Sequence, residues 1–467
     1  MSTNKNWETT MKRVFRILAS SLLLLTLILS FQSCEQSTEV GKPPSNGQAN
    51  FTSFVAIGNS LTAGYQSNAL FQSAQVYSFP ALIAKQAGVT DFQQPLISDP
   101  GIGGRIRVTS LSPLTFTYDN PAGGQPTNIN LQRPYNNLGI PGALLWIPNP
   151  SLAPISDLTD TSDFVTSPTR RGNPFFQIVL RNPALGKSIL QQAAALHPTF
   201  VTLWIGNNDV LGYAATGGGW VNGNKILQPT PPQMFSLLYS AVAAGLKQMN
   251  PNVQVVVANI PDVSAIPFFT TVPPYILNPQ TNQPIIGDDG KPIHWLGVND
   301  GDLVTLRALP LIQSGYGIPQ ILGGNNKPLP DSVVLDVNEQ ATVRGAITAY
   351  NSAIASVASQ NGFALVDAYS IMNDLKRYGM LIAGQEFTAE FITGGFFSYD
   401  GVHPSSRGYA IVANEFLKVI NQKWNANIPY VDVMSVPGEP LGKRPSVKGL
   451  PNIPKEVIDR TVELLLP

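Results

Sequence analysis

The chain has 467 residues, of which 43% are hydrophobic and only 12% charged, with a formal net charge of +0. That length supports a substantial core in one large domain or two ordinary ones, and the sparse, balanced charge excludes the electrostatic footprint of a nucleic-acid binder. The 40 Gly and 40 Pro signal many loops rather than a disordered chain, because apolar runs continue between them.

In chain order, the first feature is a leader. Lys5, Lys12, Arg13 and Arg16 precede ILASSLLLLTLILSF, an apolar run too short to be a comfortable spanning helix, and the run closes at FQSC. Basic end, apolar run, small residue and cysteine is the order of a bacterial lipoprotein signal. Residues 1–33 are therefore expected to be removed, with Cys34 lipidated as the new N-terminus. A plain secretory signal or a short anchor with an incidental cysteine is the other reading. Cys34 is the only cysteine, so no internal disulfide can form and the fold must hold by its core. Residues 34–50, rich in Gly, Pro, Ser and Asn, are expected to be a flexible tether. The expected location is the cell envelope: exported and anchored by lipid, with the outer membrane as the expected surface.

From residue 51 short β-rich runs alternate with helical ones. FTSFVAIG reads as a buried strand and SFPALIAKQAG as a helix closed by Gly88. NPALGKSILQQAAALHP reads as a helix stopped by Pro198, and TFVTLWIGNND as the next strand. A helix over PPQMFSLLYSAVAAGLKQMNP leads to a strand over VQVVVANIP. The long helix NEQATVRGAITAYNSAIASVASQNG runs into FALVDAY, and PSSRGYAIVANEFLKVINQKW makes a terminal helix. This alternation argues for a mostly parallel sheet with helices on both faces. Two stretches, about 91–180 and 262–335, interrupt the rhythm and are expected to be insertions, either walls of a cleft or packing embellishments. Within the second, Asp288, Asp289 and Gly290 suggest a hairpin turn. Residues 425–467 read as an extended arm with one short helix.

Chemistry concentrates at three points. The strand FVAIG runs straight into Asn59, Ser60 and Leu61. A serine hydroxyl is a poor nucleophile until a base takes its proton, and only 3 His are available to serve as one. His197 stands at a helix end and His294 in the second insertion, neither with an acid close in sequence. His403 has Asp400 three residues before it, in DGVHP, a spacing at which a carboxylate can fix the far ring nitrogen. The pair is expected in an open cleft. Finally, WIGNND ends a strand on Asn208, whose amide can donate to a developing oxyanion. Taken singly, each point has an ordinary alternative: a turn serine, a helix-capping Asp beside a surface His, and Asn at a strand end.

Together with NNLGIPG, these stretches resemble the SGNH (GDSL-type) hydrolase family. GNSLTAGY is similar to its nucleophile block, NLGIPG to the block carrying its oxyanion glycine, GNND to its Gly-x-Asn-Asp block, and DGVHP to its acid–base block. The resemblance implies a flavodoxin-like three-layer α/β/α sandwich over residues 51–424, with Ser60 as nucleophile, His403 as general base and Asp400 as the acid orienting it. It also implies an oxyanion hole of the Ser60 and Gly142 N–H groups and the Asn208 side chain. No metal or cofactor is expected, since no His/Cys cluster has ligand spacing and the Gly-rich TGGGW lacks the Lys and helix start of a phosphate cradle. The sequence departs from the family at position 59, where Asn replaces Asp.

The implied activity is hydrolysis of lipid or other acyl esters. A carbohydrate O-deacetylase using the same residues is the alternative, with Trp220, Trp295, Tyr118 and Tyr135 able to stack on sugars. A non-catalytic binding lipoprotein on the same fold is the third reading, supported by Asn59 alone.

Overall fold

The computed structural model describes residues 43–111, 114–147, 154–163, 170 and 172–438, with scattered positions between 450 and 462. The expected signal over residues 1–33 and Cys34 lie outside the described residues.

The apolar runs become strands of one sheet: β1 (Phe54–Gly58), β2 (Asn137–Gly139), β3 (Phe200–Trp204), β4 (Gln254–Ala258) and β5 (Ala364–Val366). They are all parallel, in the order β2-β1-β3-β4-β5, the flavodoxin-like arrangement. Register aligns Leu138, Ile57, Leu203, Val257 and Leu365 in a single aliphatic row across the sheet. β1 and β3 are buried at every position, as expected of strands covered on both faces, whose sequences read as continuous apolar runs.

The covering helices are α1 (Ser60–Ala63), α2 (Phe79–Gln86), α3 (Ile189–Ala195), α4 (Asn208–Ala215), α5 (Pro232–Met249), α6 (Val337–Asn361), α7 (Ala368–Tyr378) and α8 (Ser406–Lys423). On one side α2 packs against α8: Phe79 stacks on Phe416 at 4.6 Å, and Trp204 of β3 meets Phe79 edge-on at 5.8 Å. On the other, α5 packs against both α3 and α6, with Phe235 and Tyr350 stacked at 4.0 Å. The result is a three-layer α/β/α sandwich. Local signals set the helix ends. Asp336 and Glu339 form a reciprocal capping box at the start of α6, and Gly362 closes it at φ 68°.

Several elements differ from the sequence reading. β2 lies inside the stretch expected as an insertion, because three residues are too few to show a period. The helix expected over residues 182–198 is broken: a 3-10 turn at Pro183–Leu185 is separated from α3 by Gly186, at φ 123°, and by Ser188, which caps α3. α4 and α7 were not anticipated. The Asp288–Gly290 turn does form, with the Gly287 N–H donating to the Lys291 carbonyl at 2.8 Å and Ile286 bridged to Pro292.

Docked backbone also extends past the expected limits of 51 and 424. Ser45 pairs with Asn427, so the C-terminal part of the expected tether lies against the fold. Two α8 side chains then stitch down the residues that follow it: Asn414 bonds both the N–H and carbonyl of Val431, and Asn421 does the same for Ile428. Among the described residues, no helix is long and apolar enough to cross a membrane.

Candidate active site

β1 and β3 are the neighbours at which the strand order reverses, and the loops leaving their C-terminal ends form the crevice where open α/β sheets bind ligands. Ser60 follows β1 and Asn208 follows β3. The turn after β1 is tight: a Cβ on Gly58 would stand 2.2 Å from Thr62 Oγ1 and 2.3 Å from the Trp204 carbonyl, so only glycine fits. Asn59 then caps α1, its side-chain oxygen accepting from the Leu61 N–H at 3.1 Å. Its amide nitrogen is buried without a partner.

His403 arrives from a tight loop before α8. Ser398 N–H donates to the His403 carbonyl at 2.8 Å, and Ser405 both caps α8 and reaches back to the Gly395 carbonyl at 2.8 Å. Folding brings Ser60 and His403 together across 343 residues of chain, with Nε2 2.9 Å from Ser60 Oγ. On the far side of the ring, Nδ1 lies 3.0 Å from Asp400 Oδ2. With the ring proton on Nδ1 donated to Asp400, Nε2 accepts from the serine hydroxyl.

The expected open cleft is corrected here: Ser60 is 5% exposed, His403 6% and Asp400 3%. Burial is tolerable for Asp400 because its oxygens are saturated. Oδ1 accepts from the N–H groups of Val402 (2.9 Å) and His403 (2.8 Å) and from Ser398 Oγ (3.1 Å), and Oδ2 also accepts from the Asn68 N–H (2.9 Å). Burial alone would raise its pKa; the neighbouring His403, as charge and as donor, and the backbone N–H groups outweigh that and hold it below the ordinary carboxylate value.

Asn208 begins α4, and its amide donates to the Ala143 carbonyl at 3.0 Å, tying α4 to the loop that contains Gly142. Gly142 adopts φ 83°, a left-handed conformation that favours glycine. Gly139, in the same motif, is needed for a different reason. A Cβ there would lie 2.5 Å from the Ala63 N–H, so its absence lets β2 close on α1.

The neighbouring Asp209 was missed by sequence reasoning. It is 4% exposed, and its carboxylate receives the Leu145 N–H at 2.8 Å, the Trp146 N–H at 3.0 Å and Thr230 Oγ1 at 2.7 Å. Burial pushes its pKa up to about 6 against the pull of these donors. An acid following Asn208 directly on a strand end was the available signal. Asn68 carried none, since its contact with Asp400 joins residues 332 apart; Ser398, only two residues before Asp400, reads in sequence as an ordinary turn serine.

A pocket opens beside Ser60, Asn208 and His403, with apolar walls from α7, α8 and the loop between them. None of the four aromatic residues considered for sugar stacking lines it. Tyr135 and Trp295 are core side chains, 0% and 3% exposed; Tyr135 lies under the Arg181 guanidinium at 3.7 Å, and Trp295 donates to the Pro273 carbonyl at 2.7 Å.

The model of the GDSL-like Lipase/Acylhydrolase family matches residues 54–416. Among solved structures, the chain is similar to a GDSL-like lipase candidate from Parabacteroides merdae, with 12% identity, 79% of this chain and 96% of that one covered, and a TM-score of 0.32. It is also similar to an extracellular lipase from Streptomyces rimosus, with 13% identity, 79% and 98% covered, and a TM-score of 0.31. No curated protein matches.

Proposed function

The chain belongs to the GDSL-like lipase/acylhydrolase family and is an ester hydrolase, and from that premise we propose a serine enzyme of the cell envelope that works through an acyl-enzyme. The observation carrying this reading is the unbroken relay from Ser60 Oγ to His403 Nε2 at 2.9 Å and from His403 Nδ1 to Asp400 Oδ2 at 3.0 Å.

In this reading Ser60 Oγ attacks the ester carbonyl carbon as its proton passes to His403 Nε2. The carbonyl oxygen becomes an oxyanion, received by the Ser60 and Gly142 N–H groups and the Asn208 amide; each preplaced donor contributes roughly 3–4 kcal/mol to that transition state. Collapse breaks the bond to the alcohol oxygen, which leaves with the proton from His403. Water, deprotonated by His403, then attacks the acyl carbon and releases the acid and Ser60. Asp400 stays ionised throughout and stabilises the imidazolium.

For anchoring, Cys34 carries the acyl chains and the residues between it and the docked Ser45 form the tether, holding the enzyme on the outer membrane without crossing it. The basic–apolar–cysteine order of the leader supports this.

The decisive experiment is active-site labelling. A fluorophosphonate probe should modify Ser60 alone, and Ser60→Ala should lose both labelling and ester hydrolysis while keeping its thermal stability near that of the parent protein. Hydrolysis persisting in purified Ser60→Ala protein would end the nucleophile assignment.

A further inference from the structure

The loop after β2 carries Gly142 on a peptide that could face either way. Ile140 to Ala143 form a turn, closed by the Ala143 N–H donating to the Ile140 carbonyl at 3.1 Å. Pro141 at its second position and Gly142 at its third, at φ 83°, make it a type II turn. Types I and II differ by roughly half a turn of the central peptide, here Pro141–Gly142. A trans peptide is planar, so its carbonyl and N–H point in opposite directions. That rotation therefore decides on which side of the loop the Gly142 N–H stands. Neither residue makes the choice alone: proline suits the second position of both turn types, and glycine tolerates both conformations at the third.

Asn173 holds the carbonyl of that peptide. Its side-chain amide donates to Pro141 at 2.8 Å from the start of the short helix Pro174–Val179. The amide oxygen accepts the Phe175 N–H at 3.0 Å, which fixes the nitrogen as the arm facing Pro141. The main chain of Asn173 is held in turn, its N–H donating at 3.2 Å to the carbonyl of Arg170, a buried residue. Beyond Gly142 the loop is also tied down: Asn208 takes the Ala143 carbonyl, and Asp157 Oδ2 receives the Leu144 N–H at 2.8 Å. Among the described residues, no acceptor takes the Gly142 N–H itself.

We infer that Asn173 is a positioning residue of the oxyanion site: by holding the Pro141 carbonyl it keeps the Gly142 N–H turned the other way, free to receive the oxyanion. The inference rests on the proposed acyl-enzyme reading, in which Gly142 is a donor. With the peptide flipped, a carbonyl oxygen would stand where that donor had been, and the developing negative charge would meet the wrong end of the dipole. Asn173 lies in the first of the two stretches expected as insertions, so that insertion completes the site without touching substrate.

The test measures hydrolysis of 4-nitrophenyl acetate by the full-length protein in detergent. Competent enzyme is counted by end-point labelling of Ser60 with the fluorophosphonate probe. Asn173→Ser and Asn173→Asp both keep an oxygen that caps the short helix. Neither offers Pro141 a donor: the serine hydroxyl ends a bond short, and an ionised carboxylate only accepts. In both, kcat per labelled Ser60 should fall by about 10- to 100-fold with KM little changed, because the lost interaction is made only in the transition state. That is less than the roughly 10²–10³-fold loss on deleting an oxyanion donor outright. The melting temperature should stay within a few degrees of the parent protein's. A residue that merely caps the helix would lose no activity in either variant. Parent-like kcat in either one, a loss that vanishes once counted per labelled Ser60, or a loss carried by KM overturns the positioning role and leaves the catalytic reading standing. Unchanged hydrolysis by Ser60→Ala, or no hydrolysis by the parent protein, overturns the catalytic reading and this inference with it.

Discussion

The Asp209 carboxylate receives the Leu145 N–H at 2.8 Å, joining the helix after β3 to the loop after β2. Asn208, one residue earlier, holds the Ala143 carbonyl in that same loop. The two adjacent residues therefore set where the Gly142 segment stands relative to Asn208, the spacing on which a two-sided oxyanion site depends.

Asp209 makes that loop anchor sensitive to pH. Burial raises its pKa from an ordinary 3.8 to about 6, so between those values the folded protein holds a proton that the unfolded chain has released. Its contribution to stability is consequently fullest below about pH 4 and is lost as pH rises through about 6. Asp209→Asn, which cannot ionise, should escape this loss. Its melting temperature relative to the parent protein should rise by several degrees between pH 4 and pH 7. A difference constant across that range would show that Asp209 does not titrate there.

Asp400 behaves in the opposite sense. Its folded pKa is depressed, so its stabilising contribution is present above the ordinary carboxylate value and disappears as pH falls through the lower folded one. Asp400→Asn should cut kcat by roughly 10³–10⁴-fold, because the imidazole loses both its tautomer control and its counter-charge. With four other donors aimed at those oxygens, the amide should also lower stability by about 1–3 kcal/mol. Denaturant unfolding beside steady-state kinetics separates the two effects; parent-like turnover would reduce Asp400 to a loop-stabilising acid.

Asn59→Asp should change kcat/KM by less than about tenfold, or 1.4 kcal/mol. The function of Asn59 in the turn is carried by its oxygen, which caps Leu61, while its nitrogen has no partner to lose. A silent parent protein made active by this substitution would instead favour the non-catalytic reading.

Cys34→Ala should abolish incorporation of labelled palmitate and release the enzyme from the membrane fraction, since no second cysteine can carry the acyl chain. Unchanged labelling would refute the anchor.

Much of this protein was legible in local sequence. Apolar runs buried on both faces betrayed β1, β3 and β4, helix caps and glycine stops marked α2, α6 and α8, and four short blocks in a fixed order named the residues that meet at the site. Those signals survive in one dimension because strand burial, capping and turn chemistry act over a few residues. The rest depends on contacts between distant segments. β2 is a strand only because β1 lies beside it, three residues being too few to show a period. Asp400 could be read as the partner of His403, but its burial depends on Asn68, 332 residues away, and the role of Asp209 appears only when Leu145 and Trp146 come to it. Tyr135 and Trp295 passed for a sugar platform until packing placed them in the core. The unanticipated α7 shows the limit most clearly: Ala368, Met372 and Leu375 are buried, and what covers them is decided by where the whole sandwich places α7, not by the residues of α7 alone.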